Sequence, residues 1–190
     1  MVARYAVYTD TSSLSLVASV RDGDNAALAQ LYDQHAGALL AFARRLLGDH
    51  AAAEDLVHEV FIAAPRAFAR FQGQASVRTF LISIAINHAR HHLRGASRRR
   101  AASERLAREP EPAGGTPEEQ ANREGLAQAL NAALDVLPLD QRVAFVLCEV
   151  EERSSREVAE IVGSPEATVR TRLFHAKRKL REELAARGIR

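Results

Sequence analysis

Between Arg170 and His175 the chain reads RTRLFH, and these residue types at this spacing can read a nucleic acid. With 3.6 residues per helical turn, Ala167, Arg170, Thr171, Phe174 and Arg178 share one face, while Val169, Leu173, Ala176 and Leu180 share another. An arginine can fork onto a guanine edge, a threonine can bond a base or a phosphate, and an unshielded phenylalanine can touch a thymine methyl. A second polar set, Glu54, Asp55, His58 and Glu59, is acidic, and a third, Asn87, Arg90, His91 and Arg94, is basic. Asp55 and His58 lack the matching Glu and His ligands that a carboxylate-bridged metal site in a helical bundle requires. His88, His91 and His92 lie beside Arg90 and Arg94 and read as part of a basic face. No nucleophile with its base and no phosphate-cradling loop appears, so the expected chemistry is binding, with no catalytic residue, metal or cofactor.

The elements that must position these residues follow from their caps. Ser154 with Glu157 has the spacing of a capping box, so a short helix starts there. Val158, Ala159, Ile161 and Val162 give it an apolar face, and Gly163 can take the left-handed conformation that closes it. Ser164 is the expected cap of the next helix, with Pro165 at its first position and Glu166 at the positive end of its dipole. Together these make a helix-turn-helix whose second helix carries the reading face.

Upstream, residues 1–12 show no sustained period, and Ser13 to Arg21 forms a short helix. Asp24 caps a long helix over Asn25 to Leu47, with Leu28, Leu31, Tyr32, Leu39, Phe42, Ala43 and Leu46 inward and Gly48 as the stop. Asp49 caps a second, whose apolar residues are Leu56, Val57, Val60, Phe61, Ile62, Phe68 and Phe71. Pro65 is expected to kink or break it. The turn FQGQAS, Phe71 to Ser76, leads into a third helix from Val77 to about Leu93, with Phe80, Leu81, Ile84, Ala85 and Ala89 inward. These helices make one bundle, over 13–95. From Gly95 the composition turns to Arg, Ala, Glu, Pro and Gly without apolar period, so 96–115 reads as a flexible linker. Its relaxed span is about 25 Å and its stretched limit about 70 Å. Thr116, Pro117 and Glu119 start a helix that runs to Leu137, another crosses Gln141 to Glu149, and the helix-turn-helix completes a second domain over 116–187. The fold class is all-α: two small helical domains joined by a flexible linker.

Composition sets the remaining bounds. At 190 residues and 47% apolar, the chain can bury real cores. The net charge is only +2, but the positives cluster in two runs, Arg90 to Arg100 and Arg170 to Arg181, which fits two polyanion contacts. The single cysteine, Cys148, excludes an intramolecular disulfide and lies in an apolar stretch. No stretch reaches membrane-spanning length, so neither export nor membrane insertion is expected and the cytoplasm is the fitting compartment.

Four stretches in order, AEDLVHEVF from Ala53, FQGQASVRTFLISIAINHAR from Phe71, LPLDQR from Leu137 and SREVAEIVGSPEATVRTRLFHAKRKL from Ser155, carry a resemblance. From Asn25 to Leu184 the chain resembles the bacterial RNA polymerase sigma factors of the extracytoplasmic-function group. The resemblance implies an alternative sigma factor that binds core RNA polymerase and directs promoter-specific initiation. It implies docking on the β′ clamp helices through Asp55, Leu56, His58 and Glu59, and a second contact with the β flap. It implies that the loop Phe71, Gln72, Gly73, Gln74, Ala75 and Ser76, with Phe80, captures an unstacked base of the minus-ten element, while Asn87 and Arg90 hold the adjacent strand. Arg170, Thr171, Phe174 and His175 would read the minus-thirty-five element, and Thr168 and Arg172 would bind phosphates. An anti-sigma partner and a monomeric free state are implied as well. Three positions depart from the family pattern: Phe80 stands where Trp is usual, Ser83 where a basic residue is common, and His58 where Gln is frequent. The rival reading is a dimeric helix-turn-helix regulator independent of polymerase, which would bind a palindrome and leave the first domain without a task.

Overall fold

The computed structural model describes residues 11–100 and 133–188; for 11, 12 and 92–100 it describes the backbone alone. Among the described residues every regular element is a helix. The order is α1 (Thr11–Arg21), α2 (Asn25–Leu47), α3 (His50–Phe68), α4 (Val77–Arg100), α5 (Leu139–Phe145), a π-helical turn (Val146–Val150), α6 (Ser155–Val162) and α7 (Glu166–Ala186). None is long and apolar enough to cross a membrane. The chain divides into two compact units, residues up to Ala89 with Ala159–Gly163, and Arg90–Val158 with the residues from Ser164 onward.

In the first unit the caps stand where the sequence puts them. The Asp24 carboxylate accepts from the amides of Ala26 and Ala27 at 2.8 and 3.2 Å, the Asp49 carboxylate from Ala52 at 2.8 Å, and the Ser76 hydroxyl from Thr79 at 3.1 Å. Each satisfies an amide that the first helical turn leaves without a partner. α1, α2 and α3 pack on one another around Leu31, Leu39, Phe42, Leu46, Leu56, Val60, Ala64 and Phe68, all buried. Tyr32, expected inside, is half exposed and lays its ring against Phe61 at 4.8 Å. In α4 the buried set includes Ile82 and Ile86 beside the expected Leu81, Ile84, Ala85 and Ala89, so this helix is enclosed on more than one side.

Backbone chemistry decides two expectations. Of the kink or break expected at Pro65, the break does not occur: α3 continues to Phe68. The proline stands one turn from the helix end and removes a single hydrogen bond, which the packed residues Phe61, Ala64 and Phe68 around it outweigh. α4 runs on to Arg100, past the stop expected near Leu93 and into the stretch read as linker. Alanine and arginine are good helix formers, and one Gly95 costs only about 1 kcal/mol. The remainder of the linker and most of the helix expected from Thr116 to Leu137 lie outside the described residues, as do the side chains of Arg94 and of the Arg98 to Arg100 run.

The second unit has its core at Ala133, Leu134, Leu137, Ala176 and Leu180, with Phe145 and Leu184 packed against it. Arg142 is buried here. Its Nε donates to the Leu134 carbonyl at 2.8 Å and its Nη2 to the Asp135 carboxylate at 2.6 Å. The helix expected over Gln141 to Glu149 is instead α5 followed by a π turn, closed by the Glu151 amide on the Val146 carbonyl at 3.0 Å. Burial pushes the Cys148 thiol up, against the opposing pull of the Ser155 hydroxyl, so the reactive thiolate is disfavoured.

Candidate nucleic-acid interface

The helix-turn-helix forms from local chemistry. Ser154 and Glu157 close a reciprocal capping box: the Ser154 amide and hydroxyl donate to the Glu157 carboxylate at 2.8 and 2.7 Å, and the Glu157 amide donates to the Ser154 hydroxyl at 3.2 Å. The Ser154 hydroxyl, then its backbone amide, and more weakly the charge of Arg153 hold the Glu157 carboxyl below its ordinary value of 4.5. A carboxylate with a lowered folded value contributes stability above its ordinary value and loses it as pH falls through the folded one. Ser154→Ala is therefore expected to cost about 1 kcal/mol at neutral pH. Its difference from wild type should shrink as unfolding is followed into the acid range; a difference that stays constant through the titration would refute the box.

Gly163 takes φ 65°, a left-handed conformation open to glycine, and turns the chain into α7. Ser164 is not the cap it was expected to be. The helix starts one residue later, with Pro165 in the cap position and no side-chain bond there, while the Ser164 hydroxyl accepts from Arg172 at 3.3 Å.

α7 divides as its periodicity requires. Val169, Ala176 and Leu180 are buried and Leu173 half-buried, while Ala167, Arg170, Thr171, Phe174 and Arg178 are exposed. Phe174 is 64% exposed and meets the edge of the His175 ring at 5.6 Å. An aromatic ring left in water on a polar face is placed to touch a partner. Arg170 pairs with Glu166 one turn away, and the Thr171 hydroxyl donates to the Ala167 carbonyl at 2.9 Å. Arg172 is half-buried and paired with Asp140 at 2.7 Å, and Thr168 is half-buried. Lys177 meets Glu149 at 2.7 Å.

The Phe71–Ser76 loop sits on an aromatic cluster. Phe68 stacks on Phe80 at 5.7 Å and meets Phe71 at 6.1 Å, and Phe71 meets Phe80 at 4.9 Å. Phe71 is only 7% exposed, which makes it a support for the loop and closes its face to a stacking base. Gln72 and Gln74 are exposed and joined to each other at 3.3 Å, and Ala75 is half-buried. Gly73 takes φ 73°, which lets the loop turn outward between the two glutamines. The Ser76 hydroxyl is occupied by Thr79, both by its amide and by its hydroxyl at 2.9 Å. The Ser83 hydroxyl donates to the Phe80 carbonyl at 2.7 Å and so turns back on its own helix. Asn87 is exposed; Arg90, which falls in the second unit, pairs with Asp140 at 3.2 Å.

On α3, Asp55 and His58 are exposed and Glu59 is half-buried, its carboxylate 3.1 Å from Nδ1 of His88. Leu56, expected beside them as a contact, is instead fully buried in the first core: one residue along a helix turns the side chain by more than a right angle, away from the acidic stripe. The apolar side chain that does share that stripe is Ile62, 66% exposed and two turns beyond Asp55. Its signal lay in the sequence, as an isoleucine one turn past His58.

Comparison with known proteins agrees with this arrangement. Residues 31–99 match the family described as Sigma-70 region 2, and residues 127–180 match Sigma-70, region 4. The chain is 31% identical over 184 residues to the RNA polymerase sigma-H factor of Pseudomonas aeruginosa, covering 93% of this chain and 95% of that one. It is 34% identical over 172 residues to the ECF RNA polymerase sigma-E factor of Escherichia coli K12, covering 85% and 88%. Among solved structures it resembles the sigma factor RpoE of Bartonella quintana, crystallised with the anti-sigma factor NepR, with TM-score 0.63, 27% identity and coverage of 82% and 95%. CnrH, solved with the cytosolic domain of CnrY, gives TM-score 0.64 and 27% identity over 92% and 98%. With both regions matched in order and the relatives covered nearly end to end, this chain belongs to the extracytoplasmic-function group of the sigma-70 family, alternative sigma factors that direct promoter-specific transcription initiation by RNA polymerase.

Proposed function

We propose that the two DNA contacts are divided between the loop at Phe71–Ser76 and the exposed face of α7, and that the first unit docks on polymerase through α3. The observation that carries the reading is the division of α7, with Arg170, Thr171 and Phe174 turned to solvent opposite the buried Val169, Ala176 and Leu180. In that reading Arg170, Thr171, Phe174 and His175 face bases of the minus-thirty-five element in the major groove, with Thr168 and Arg172 on phosphates. Gln72, Gly73 and Gln74 close around an extruded minus-ten base over the Phe68–Phe71–Phe80 support, with Asn87 and Arg90 on the strand. Asp55, His58 and Glu59, with Ile62, meet the β′ clamp helices, and the second unit meets the β flap. The chain works by binding in the cytoplasm, and the chemistry belongs to polymerase. That the similar sigma factor RpoE was solved with an anti-sigma factor supports an anti-sigma partner for this one, which is otherwise a monomer.

Run-off transcription with sigma-free core polymerase on genomic fragments tests the assignment, with transcript starts mapped. Discrete new starts sharing two spaced motifs are expected. Arg170→Ala is expected to lower discrimination between the cognate upstream element and a scrambled one by about 1 to 3 kcal/mol. Equal binding of both elements by the unmutated protein would remove Arg170 from the readers, and tight polymerase-independent binding to a palindrome would favour the dimeric regulator.

A further inference from the structure

Arg21 ends α1 and carries its guanidinium across to the far end of α3. Nε donates to the Phe68 carbonyl at 2.8 Å, and Nη2 donates to the Phe71 carbonyl. Phe68 is the last residue of α3 and Phe71 the first of the loop, so one side chain bridges the helix end and the loop entrance. The last carbonyls of a helix have no partner within the helix, and they form the negative end of its dipole. A guanidinium is suited to this place, because its planar fork donates to two oxygens at once, which a lysine ammonium does less well. Within the loop base, the Phe71 amide already donates to the Phe68 carbonyl at 3.0 Å. Below it, the Phe71 ring is buried on Phe68 and Phe80. At its other end the loop is tied by the Ser76–Thr79 cap. The exposed Gln72 and Gln74 therefore hang between two fixed points, and the first of these is held from another helix.

We propose that Arg21 is a positioning residue for strand capture: it fixes the entrance of the Phe71–Ser76 loop so that Gln72, Gly73 and Gln74 are presented in a single pose to an extruded base. This rests on the reading of that loop as the base-capturing element, and the test separates the two. In the full chain without polymerase, hydrogen exchange at the Arg70 and Phe71 amides reports the clasp alone. Arg21→Ala should speed exchange there about tenfold, the equivalent of one lost charge-assisted bond, with core amides of α2 and α3 unchanged and Arg21→Lys between the two. With core polymerase, 2-aminopurine in the minus-ten element reports strand opening. Arg21→Ala should slow opening about tenfold while affinity for core polymerase stays at the wild-type value, and Arg21→Lys should recover part of the rate.

Unchanged exchange at Phe71 would overturn the clasp. Faster exchange with a wild-type opening rate would overturn the positioning role. Faster exchange throughout α2 and α3 in Arg21→Ala, together with weaker polymerase binding, would make Arg21 a folding residue and also overturn it. If wild-type protein opens no promoter with core polymerase, the capture reading fails and takes the functional half of the proposal with it, whatever the exchange arm shows of the clasp.

Discussion

Arg142→Ala is expected to lower the stability of the second unit by about 3 kcal/mol, the low end for stripping one partner from a buried ion pair. The side chain is 6% exposed and its partner Asp135 30%, so the carboxylate that loses Arg142 is already partly in water and the cost stays at that low end. The larger share comes from the Leu134 carbonyl, which loses the Nε donor at 2.8 Å inside the core formed by Leu134, Leu137 and Leu180. Asp135→Asn should therefore cost clearly less, because Arg142 keeps the carbonyl and the amide can still accept from it. Urea unfolding of both single variants and the double variant measures the coupling. If the two single effects simply add, Arg142 and Asp135 do not act as a unit, and the loss in Arg142→Ala comes from the Leu134 carbonyl and packing without the ion pair.

Leu56→Ala is expected to cost about 2 to 5 kcal/mol of stability in the first unit. Its side chain is fully buried with Phe42, Val60 and Phe68, so truncation leaves a cavity and touches no polar face. Asp55→Ala, exposed on the same helix, should leave stability within about 0.5 kcal/mol of wild type. The two variants thus separate folding from docking. Below its own midpoint Leu56→Ala should bind core polymerase with wild-type affinity, whereas Asp55→Ala should bind more weakly at an unchanged midpoint. A Leu56→Ala protein with a normal midpoint and weakened polymerase binding would return Leu56 to the contact surface.

What the sequence made legible was whatever depends on neighbours a turn apart. The caps at Asp24, Asp49, Ser76 and Ser154 are bonds over two or three residues, and each formed as the spacing required. The exposed face of α7 follows from a single period and a single buried side. Legibility ended where a residue's role is set by an element far along the chain. Arg21 and Arg142 look like surface cations in the sequence, yet each is committed to carbonyls that only the packing brings near, those of Phe68, Phe71 and Leu134. Leu56 shows the opposite case. Its spacing with Ala53, Val57 and Val60 already put it in the buried stripe, and the neighbouring acidic residues drew it to the wrong face. Ser164 was misplaced because a serine before a proline can cap a helix or turn its hydroxyl elsewhere, and the guanidinium of Arg172 decides between them from two turns along the helix.

On the proposed reading, three cations that α7 brings to DNA already have a carboxylate partner. Arg170 has Glu166, Arg172 has Asp140, and Lys177 has Glu149. A lone cation that meets a phosphate releases a condensed counterion from the duplex, and that release is what makes affinity fall with added salt. On the proposed reading, each phosphate or base contact by these three instead exchanges one anion for another and leaves a carboxylate that gathers mobile cations of its own. Such pairs are worth little in water, about 1 kcal/mol or less, so the exchange is not prevented. Its consequence is a logarithmic salt dependence of upstream DNA binding that is shallower than the number of basic residues on the helix would give. With Arg170 as a proposed base reader, the same exchange would weaken attachment to arbitrary sequence, where no base edge offers it a better partner than Glu166.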